Sequence, residues 1–193
     1  MPVLDADVPS PRWVLSDDGR RRCSWVSGVL QAEGVGRLYS SLEPKALETA
    51  ALVGVELALP VAPRAGLQEN DRTGLGFLPA GEMRRTLADF FARPADLVMG
   101  TETADAALAR FEPAVRAMVA EADGTAAVVT HGTVLTLLVA RHNAINSFDF
   151  WGRLTTPSCV VLDTDSFALL STHLFPKAWH GKHQAFQRDR DAS

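Results

Sequence analysis

An apolar segment at 126–130 leads into a helical pattern at 133–141, with only His131 and Gly132 between the two. A short apolar run with β-branched residues is typical of a buried strand, and a helix that starts directly behind it packs back against the sheet. The free N–H groups and positive dipole end of this helix favour an anion beside His131. The junction therefore predicts an α/β fold with an anion site, suited to phosphate, at one edge of the sheet.

The rest of the chain alternates between helical and strand patterns. Ser16 is a predicted N-cap for the first helix, and Pro44 opens the second. Helices are predicted from Ser16 to Gly34, from Pro44 to about Leu57, and over about 81–93, 102–121 and 133–141. Strands are predicted at 36–41, 61–63, 126–130, 158–162 and 167–173, the last two as a hairpin at the sheet edge. This alternation predicts a three-layer α/β/α sandwich with a mostly parallel sheet.

Length and composition predict a single domain. The 193 residues are 47% hydrophobic and 22% charged, which is enough to bury a core. The domain is predicted to span 1–176, with a helical excursion at about 80–122 over one end of the sheet. A polar tail at 177–193 follows, and we expect it to be poorly ordered.

Charge and apolar patterning argue against several classes of function. A net charge of −4 gives no electrostatic footprint for nucleic acid, and no apolar run is long enough to span a membrane. The first residues lack the layout of a signal peptide, so a cytoplasmic protein is expected. Cys23 and Cys159 lack metal-ligand and disulfide spacing and are expected to be reduced. Neither a metal nor a cofactor is predicted. The expected partner is a small phosphorylated substrate or a phosphopeptide, and the oligomeric state stays open.

Four segments, in order, resemble the motifs of one family. Segment 40–50, Ser-Ser-Leu-Glu-Pro-Lys-Ala-Leu-Glu-Thr-Ala, is similar to the Ser-Ser-x-x-x-Arg-Ala-x-x-Thr-Ala segment of the histidine phosphatase superfamily, which includes the cofactor-dependent phosphoglycerate mutases. Segment 129–132 resembles the second histidine motif of that family, 67–69 its acidic loop, and 15–20 the start of its first helix. The resemblance covers nearly the whole chain and implies a phosphoglycerate mutase-like fold.

The resemblance also implies a metal-independent phosphatase that hydrolyses a phosphomonoester through a phosphohistidine intermediate. His131 is then the second histidine beside the phosphoryl oxygens, and Glu69 is the acid that protonates the leaving oxygen. Gly132 and Thr133 would bind phosphate through their backbone N–H groups. Lys45 occupies the place of a phosphate-binding arginine and offers a point charge instead of a planar fork of donors.

Each of these residues also has a structural interpretation. Arg72 follows the acidic loop and could reach a substrate, but a surface position fits the sequence equally well. His131 alone could be structural, Glu69 a solvated loop acid, and Lys45 an exposed residue in the first turn of its helix. The ordered motifs favour the phosphate-site interpretation for these three. Hydrolysis is preferred over mutase activity, because nothing in the acidic loop resembles a dedicated phosphoglycerate site.

The nucleophile of the family has no counterpart in this sequence. Its Arg-His-Gly or Arg-His-Ala motif should precede the first helix, yet no histidine precedes Ser16. Segment 1–9 is rich in proline and aspartate and is predicted to be a loop, so the first central strand is missing. Our hypothesis is that Met1 is an internal methionine and that the in-frame codons upstream encode an apolar strand ending in Arg-His.

Two functions follow from this missing motif. If the strand lies upstream, the full-length protein is a phosphatase, and the chain as written is expected to turn over little or no substrate. The alternative is a non-catalytic phosphate-binding or regulatory relative that has lost its nucleophile. Lys45 in the arginine position mildly favours the alternative, whereas the pair of His131 and Glu69 favours the enzyme, since a binding pocket has no need of a leaving-group acid.

Overall fold

The computed structural model describes residues 1–3 and 8–177, so the predicted tail lies outside the described residues except for Lys177. The helices are α1 (Asp17–Ala32), α2 (Pro44–Leu57), α3 (Ala80–Ala92), α4 (Ala104–Glu121), α5 (Gly132–His142) and α6 (Ser147–Arg153). The strands are β1 (Arg37–Ser40), β2 (Val61–Pro63), β3 (Ala126–Val129), β4 (Ser158–Leu162) and β5 (Leu169–Leu174). Within the described ranges, none of the helices combines the length and the apolar character that crossing a membrane requires.

The first three strands form a parallel sheet with β1 in the centre. Leu38 of β1 lies opposite Val61 of β2 on one side and opposite Ala127 of β3 on the other. The strand order is therefore β2-β1-β3. Parallel neighbours must be joined by crossovers, and α2 makes the crossover from β1 to β2. The fold is thus the predicted α/β class with a small parallel sheet.

Helices cover both faces of this sheet, which gives the three layers. Side chains alternate between the two faces of a strand. Leu38 accordingly belongs to a core with α1 and α2, where Val29 and Val53 are fully buried. Tyr39, the next residue of β1, belongs to a second core with α3, α4 and α5, where Phe90 and Phe111 are buried. The same alternation continues along β3, so the sheet lies between two apolar cores.

The β4–β5 hairpin is antiparallel and forms a two-stranded sheet of its own. The sequence places it at the edge of the main sheet, but no described strand joins it to β3. β5 also begins at Leu169, two residues later than predicted. The reason is the turn: the Asp163 carboxylate accepts hydrogen bonds from the backbone N–H groups of Asp165 and Ser166. Phe167 then adopts a positive φ of 55° and is buried in the core.

Helix α6 is absent from the sequence prediction. Its seven residues make too few turns for an apolar period to be visible. The local signal was the N-cap: Asn146 Oδ1 accepts a hydrogen bond from Asp149 N at 2.9 Å. The predicted cap of α1 is present, with Ser16 Oγ accepting from Gly19 N at 3.0 Å.

Four strands have an open edge within the described part of the chain, namely β2, β3, β4 and β5, and of these β3 and β4 flank α5 and α6 in the chain. β3 pairs with β1 along one edge only, and β4 pairs with β5 along one edge only. All four residues of β3 and all five of β4 are partly exposed, whereas three of the four residues of central β1 are buried. An edge strand presents a row of unpaired backbone groups, so both edges can accept a further strand.

Candidate active site

The ends of two neighbouring parallel strands bring Ser41 and His131 together. β1 ends at Ser40 and β3 at Val129, so the residues that follow lie at the same edge of the sheet. Ser41 N donates to the Val129 carbonyl at 2.9 Å, and Ser41 Oγ shares a hydrogen bond with His131 Nε2 at 2.9 Å. His131 is buried and precedes the first residue of α5. The predicted histidine therefore lies at the carboxyl edge of the parallel sheet.

The Glu69 carboxylate lies on the N-terminus of α5. Its Oε2 accepts a hydrogen bond from Thr133 N at 3.2 Å, and its Oε1 accepts from Val134 N at 3.2 Å and from Asn70 N at 3.0 Å. N–H groups in the first turn of a helix lack intrahelical partners and favour an anion. The backbone N–H groups of Thr133 and Val134 at this junction therefore bind the protein's own Glu69 carboxylate.

Arg72 reaches the same helix terminus from the acidic loop. Its Nη2 donates to Thr133 Oγ1 at 2.9 Å and lies 3.6 Å from Glu69 Oε2. Its Nε donates to Asn70 Oδ1 at 3.1 Å. The sequence left open whether this side chain faces the site or the surface. The structure places it against the N-terminus of α5.

Gly132, the other predicted backbone donor, begins α5 beside an aromatic side chain. A Cβ at this position would lie 3.8 Å from Trp151 Nε1. Trp151 belongs to α6, so the helix absent from the sequence prediction forms one wall of the site.

Glu43 is a buried acid that the sequence interpretation missed. One carboxylate oxygen, Oε2, lies 2.6 Å from Lys45 Nζ, while Oε1 accepts a hydrogen bond from Glu69 N at 2.8 Å. Oε1 also lies 3.4 Å from His131 Nε2. Lys45 Nζ further donates to the Ser10 carbonyl at 2.8 Å. The sequence predicts that the Lys45 ammonium group faces phosphate. In the structure this group forms an ion pair with Glu43. Pro44 stands at the first position of α2, so Glu43 is the N-cap of this helix. That position is the sequence signal from which Glu43 could have been noticed.

Burial and neighbouring charges set the protonation of this site. Burial is the largest influence on His131 and holds its pKa below the ordinary value of 6.5, although Glu69 and Glu43 pull the pKa upward. Burial also raises the pKa of the Glu69 carboxyl. Arg72 and the backbone N–H groups of Asn70 and Thr133 outweigh that effect, so the net pKa of Glu69 lies below 4.5. At neutral pH the site thus holds a neutral imidazole and an ionised Glu69.

Arg110 of α4 fixes the loop that carries Glu69. Its Nη1 donates to the carbonyls of Gly66 at 2.9 Å and Gln68 at 3.1 Å, and its Nη2 donates to the Glu69 carbonyl at 3.2 Å. Nε and Nη2 also form a bidentate pair with the Glu102 carboxylate, each at 2.9 Å. The planar guanidinium suits this set of acceptors. No local pattern pointed to Arg110, because the loop carbonyls that it contacts lie some forty residues away along the chain.

The two thiols lack the properties of a nucleophile. Burial raises the pKa of Cys23 to about 11 and that of Cys159 to about 12, so both stay protonated at neutral pH. Neither forms a disulfide. Among residues 1–3 and 8–177, no three His, Cys, Asp or Glu side chains group together as a metal site would need.

A match to a family model shows to which family the chain belongs. The model of the histidine phosphatase superfamily (branch 1) matches residues 5–171. The chain belongs to the histidine phosphatase superfamily. No curated protein matches it at a significant level.

Solved structures of histidine phosphatase-fold proteins superpose on most of this family member. YhfR from Bacillus stearothermophilus is 22% identical, with a TM-score of 0.62 over 94% of this chain and 87% of that chain. A mycobacterial glucosyl-3-phosphoglycerate phosphatase with inorganic phosphate is 21% identical, with a TM-score of 0.62 over 81% and 84%. A mutant phosphoserine phosphatase from Entamoeba histolytica, in complex with phosphoserine, is 14% identical, with a TM-score of 0.62 over 83% and 86%. At these identities the likeness concerns the fold.

Proposed function

We propose that this chain forms the phosphate site of a metal-independent phosphatase that hydrolyses a phosphomonoester through a phosphohistidine. The observation that carries the proposal is the convergence of His131, Arg72 and Glu69 on the N-terminus of α5. Two solved relatives are named as phosphatases of glucosyl-3-phosphoglycerate and phosphoserine, which supports the same class of reaction. The proposed partner is accordingly a small phosphorylated compound or a phosphopeptide.

The substrate's phosphoryl group would take the place of the Glu69 carboxylate. Both are anions, and the donors at Thr133 N and Arg72 Nη2 that now contact Glu69 suit either one. Gly132 would offer its backbone N–H beside Thr133. Lys45, held by Glu43 and the Ser10 carbonyl, would add positive charge at longer range.

The proposed chemistry assigns the leaving-group proton to Glu69. A histidine nitrogen attacks phosphorus, the bond to the leaving oxygen breaks, and protonated Glu69 donates its proton to that oxygen. Water then attacks the phosphohistidine and gives a proton back to Glu69, which releases phosphate. A bound dianion raises the pKa of a neighbouring carboxyl and competes for its hydrogen-bond donors, so substrate binding favours the protonated acid.

The nucleophilic histidine is proposed to lie on a strand between β3 and β4. Both strands have an open edge within the described residues. His131 is a poor candidate for the nucleophile, because its Nε2 lies between Ser41 Oγ at 2.9 Å and Glu43 Oε1 at 3.4 Å. A histidine at the carboxyl end of an inserted parallel strand would reach the same edge of the sheet as His131.

The second candidate function is a phosphate-binding protein without catalysis. The pairing of Lys45 with Glu43 favours it, because the lysine charge is then not free to stabilise a transition state. Such a protein would bind inorganic phosphate at the N-terminus of α5 and hydrolyse nothing.

The test compares residues 1–193 with a form extended by the codons upstream of Met1, using an aryl phosphate in EDTA. We expect the extended form to turn over the substrate at least about 100-fold faster, and His131→Ala within it to lose about 100-fold. Arg141→Ala, an exposed substitution in α5, serves as the control and should leave the rate unchanged.

Two results would overturn this proposal. Equal turnover by the short form, abolished by His131→Ala, would contradict a missing nucleophile. Inactivity of both forms, with phosphate still bound, would favour the non-catalytic function.

A further inference from the structure

The acidic loop and the residues just before α4 are bonded to each other beside Arg72. The Asp71 carboxylate accepts hydrogen bonds from Thr101 Oγ1 at 2.6 Å and from Thr73 N at 2.8 Å. Thr101 N donates to the Asp71 carbonyl at 3.2 Å, and Asp71 N donates to Glu102 Oε2 at 3.1 Å. The side chain, the carbonyl and the backbone N–H of Asp71 thus all have partners, so the residue before Arg72 is firmly held.

Gly100 brings the backbone of the segment before α4 into contact with Arg72 itself. A Cβ at this position would overlap the Asp71 carbonyl and would lie 2.7 Å from Arg72 Cα. The φ of Gly100 is 65°, in the left-handed region that glycine adopts without strain. Glycine therefore permits the close approach, and the Cα of Arg72 packs directly against another stretch of backbone.

The side chain that starts from this held backbone ends on the N-terminus of α5. Arg72 Nε donates to Asn70 Oδ1 at 3.1 Å, and Arg72 Nη2 donates to Thr133 Oγ1 at 2.9 Å. Arginine has several rotatable bonds, and ordering them costs conformational entropy. A guanidinium group that is already oriented loses less of this entropy when it binds an anion.

Asp71 carries a negative charge at neutral pH. The hydrogen bond from Thr101 is the largest of the influences that hold the pKa of Asp71 below its ordinary value of 3.8. A negative charge in the acidic loop repels a second anion, so the direct electrostatic effect of Asp71 on anion binding is unfavourable. Any favourable contribution must come through the residues that Asp71 holds in place.

We propose that Asp71 and Thr101 are positioning residues, which orient Arg72 for the phosphoryl group at the N-terminus of α5. Thr101 lies just before α4, so this part of the chain supports the acidic loop at a second point besides Arg110. The inference rests on the proposed function, because it takes Arg72 as a ligand of the phosphoryl group.

A double-mutant cycle between Asp71 and Arg72 tests this inference through the affinity of residues 1–193 for inorganic phosphate. Asp71→Ala removes a negative charge, which by Coulomb's law alone should strengthen the binding of an anion. If Asp71 orients Arg72, the substitution instead weakens binding, and we expect a loss of about fivefold. In the Arg72→Ala background this loss should disappear or become a small gain. Asp123→Ala, which removes an exposed acid before β3, is the control and should change the affinity by less than about twofold.

Threonine variants provide a second test that does not depend on the folding of Asp71→Ala. Thr101→Val removes the hydroxyl group that donates to Asp71, while Thr101→Ser keeps it. We expect Thr101→Val to weaken phosphate binding about threefold and Thr101→Ser to retain it. The matched control is Thr125→Val, a change of an exposed threonine before β3, which should leave the affinity unchanged.

The outcomes separate this inference from the proposed function. If Asp71→Ala binds phosphate as tightly as the unchanged chain or more tightly, the inference is wrong and the phosphate site stands. The inference is also wrong if the loss persists in the Arg72→Ala background, or if Thr101→Val lowers stability but binds phosphate like Thr101→Ser. If phosphate does not bind the unchanged chain, or if Arg72→Ala leaves its affinity unchanged, the proposed function fails and the inference fails with it.

Discussion

At the residue scale, the two buried carboxylates of the site, Glu43 and Glu69, bind different groups. Glu43 neutralises Lys45 and accepts a hydrogen bond from the backbone of Glu69, so it ties the start of α2 to the acidic loop. Glu69 instead occupies the anion site on α5. Glu43 therefore holds two elements together, while Glu69 lies at the position that we propose for the phosphoryl group.

Replacing Glu43 by Gln should destabilise the protein. The Glu43 side chain is 6% exposed and its partner Lys45 17%, so the substitution leaves an uncompensated, largely buried ammonium group. We expect the free energy of unfolding to fall by about 2 kcal/mol in chemical denaturation. Glu121→Gln breaks the exposed pair with Arg64 and should change stability by less than about 0.5 kcal/mol. Equal effects of the two substitutions would contradict the assignment of Glu43.

Anion binding should be coupled to proton uptake by His131. Burial lowers its pKa in the free protein, and a bound dianion would raise the pKa again, so a proton is taken up between the two values. Sulfate affinity should therefore increase as the pH falls below the pKa that His131 has in the anion complex. Calorimetry in two buffers of different ionisation enthalpy measures the uptake, and His131→Gln should reduce it to the part that Glu69 takes up. The same uptake in that variant would assign the proton to another group.

The free energy of unfolding should depend on pH through the same histidine, and the direction of its pKa shift gives the sign of this dependence. The pKa of His131 is near 6.5 in the unfolded chain and lower in the folded protein. At a pH between these two pKa values, the unfolded state therefore binds more protons than the folded state. The contribution of His131 to stability is thus complete above pH 6.5 and is lost as the pH falls toward the folded pKa.

At the element scale, the acidic loop holds its shape through a side chain from a distant helix. Arg110 donates to three loop carbonyls and to Glu102. Lysine has three donors without a planar fork and cannot make this set of contacts. The position of Glu69 therefore depends on α4 as much as on its own loop.

Arg110→Lys should lower the free energy of unfolding by about 2 kcal/mol and weaken phosphate binding. Arg116→Lys is the matched control on the same helix, because it keeps a charge beside Glu112 in a pair that is more exposed. It should cost less than about 1 kcal/mol. Denaturation curves and phosphate titrations check both changes. Identical behaviour of the two variants would show that the loop does not depend on the guanidinium group.

Most elements could be predicted from the sequence because their signals are local. Ser16 and Pro44 mark the starts of α1 and α2 through capping chemistry, and the predicted and observed bounds of α2 coincide. The seven-residue α6 is too short for periodicity to reveal it. Contacts between distant residues, such as Glu43 with His131 or Arg110 with the acidic loop, leave no pattern along the chain. The ordered motifs predicted roles for His131, Glu69 and Lys45, but they left no sign that Glu69 lies on the N-terminus of α5 or that Lys45 pairs with Glu43.

At the scale of the whole molecule, the three-layer fold brings the site residues to one edge of the sheet. The residues after β1 and β3 meet there because the two strands are parallel. The open edges of β3 and β4 leave room in the architecture for one more strand. Among the described residues, the N-terminus of α5 with its bound Glu69 carboxylate therefore lies beside strand edges that remain open.

The most direct test is to map where inorganic phosphate binds on the isotope-labelled chain by NMR titration. The backbone amides of Thr133 and Val134 should shift saturably together with the His131 ring, because phosphate replaces Glu69 on the N-terminus of α5. Arg72→Ala should weaken this binding about tenfold. Shifts confined to other parts of the molecule, or affinity unchanged by Arg72→Ala, would contradict the phosphate site.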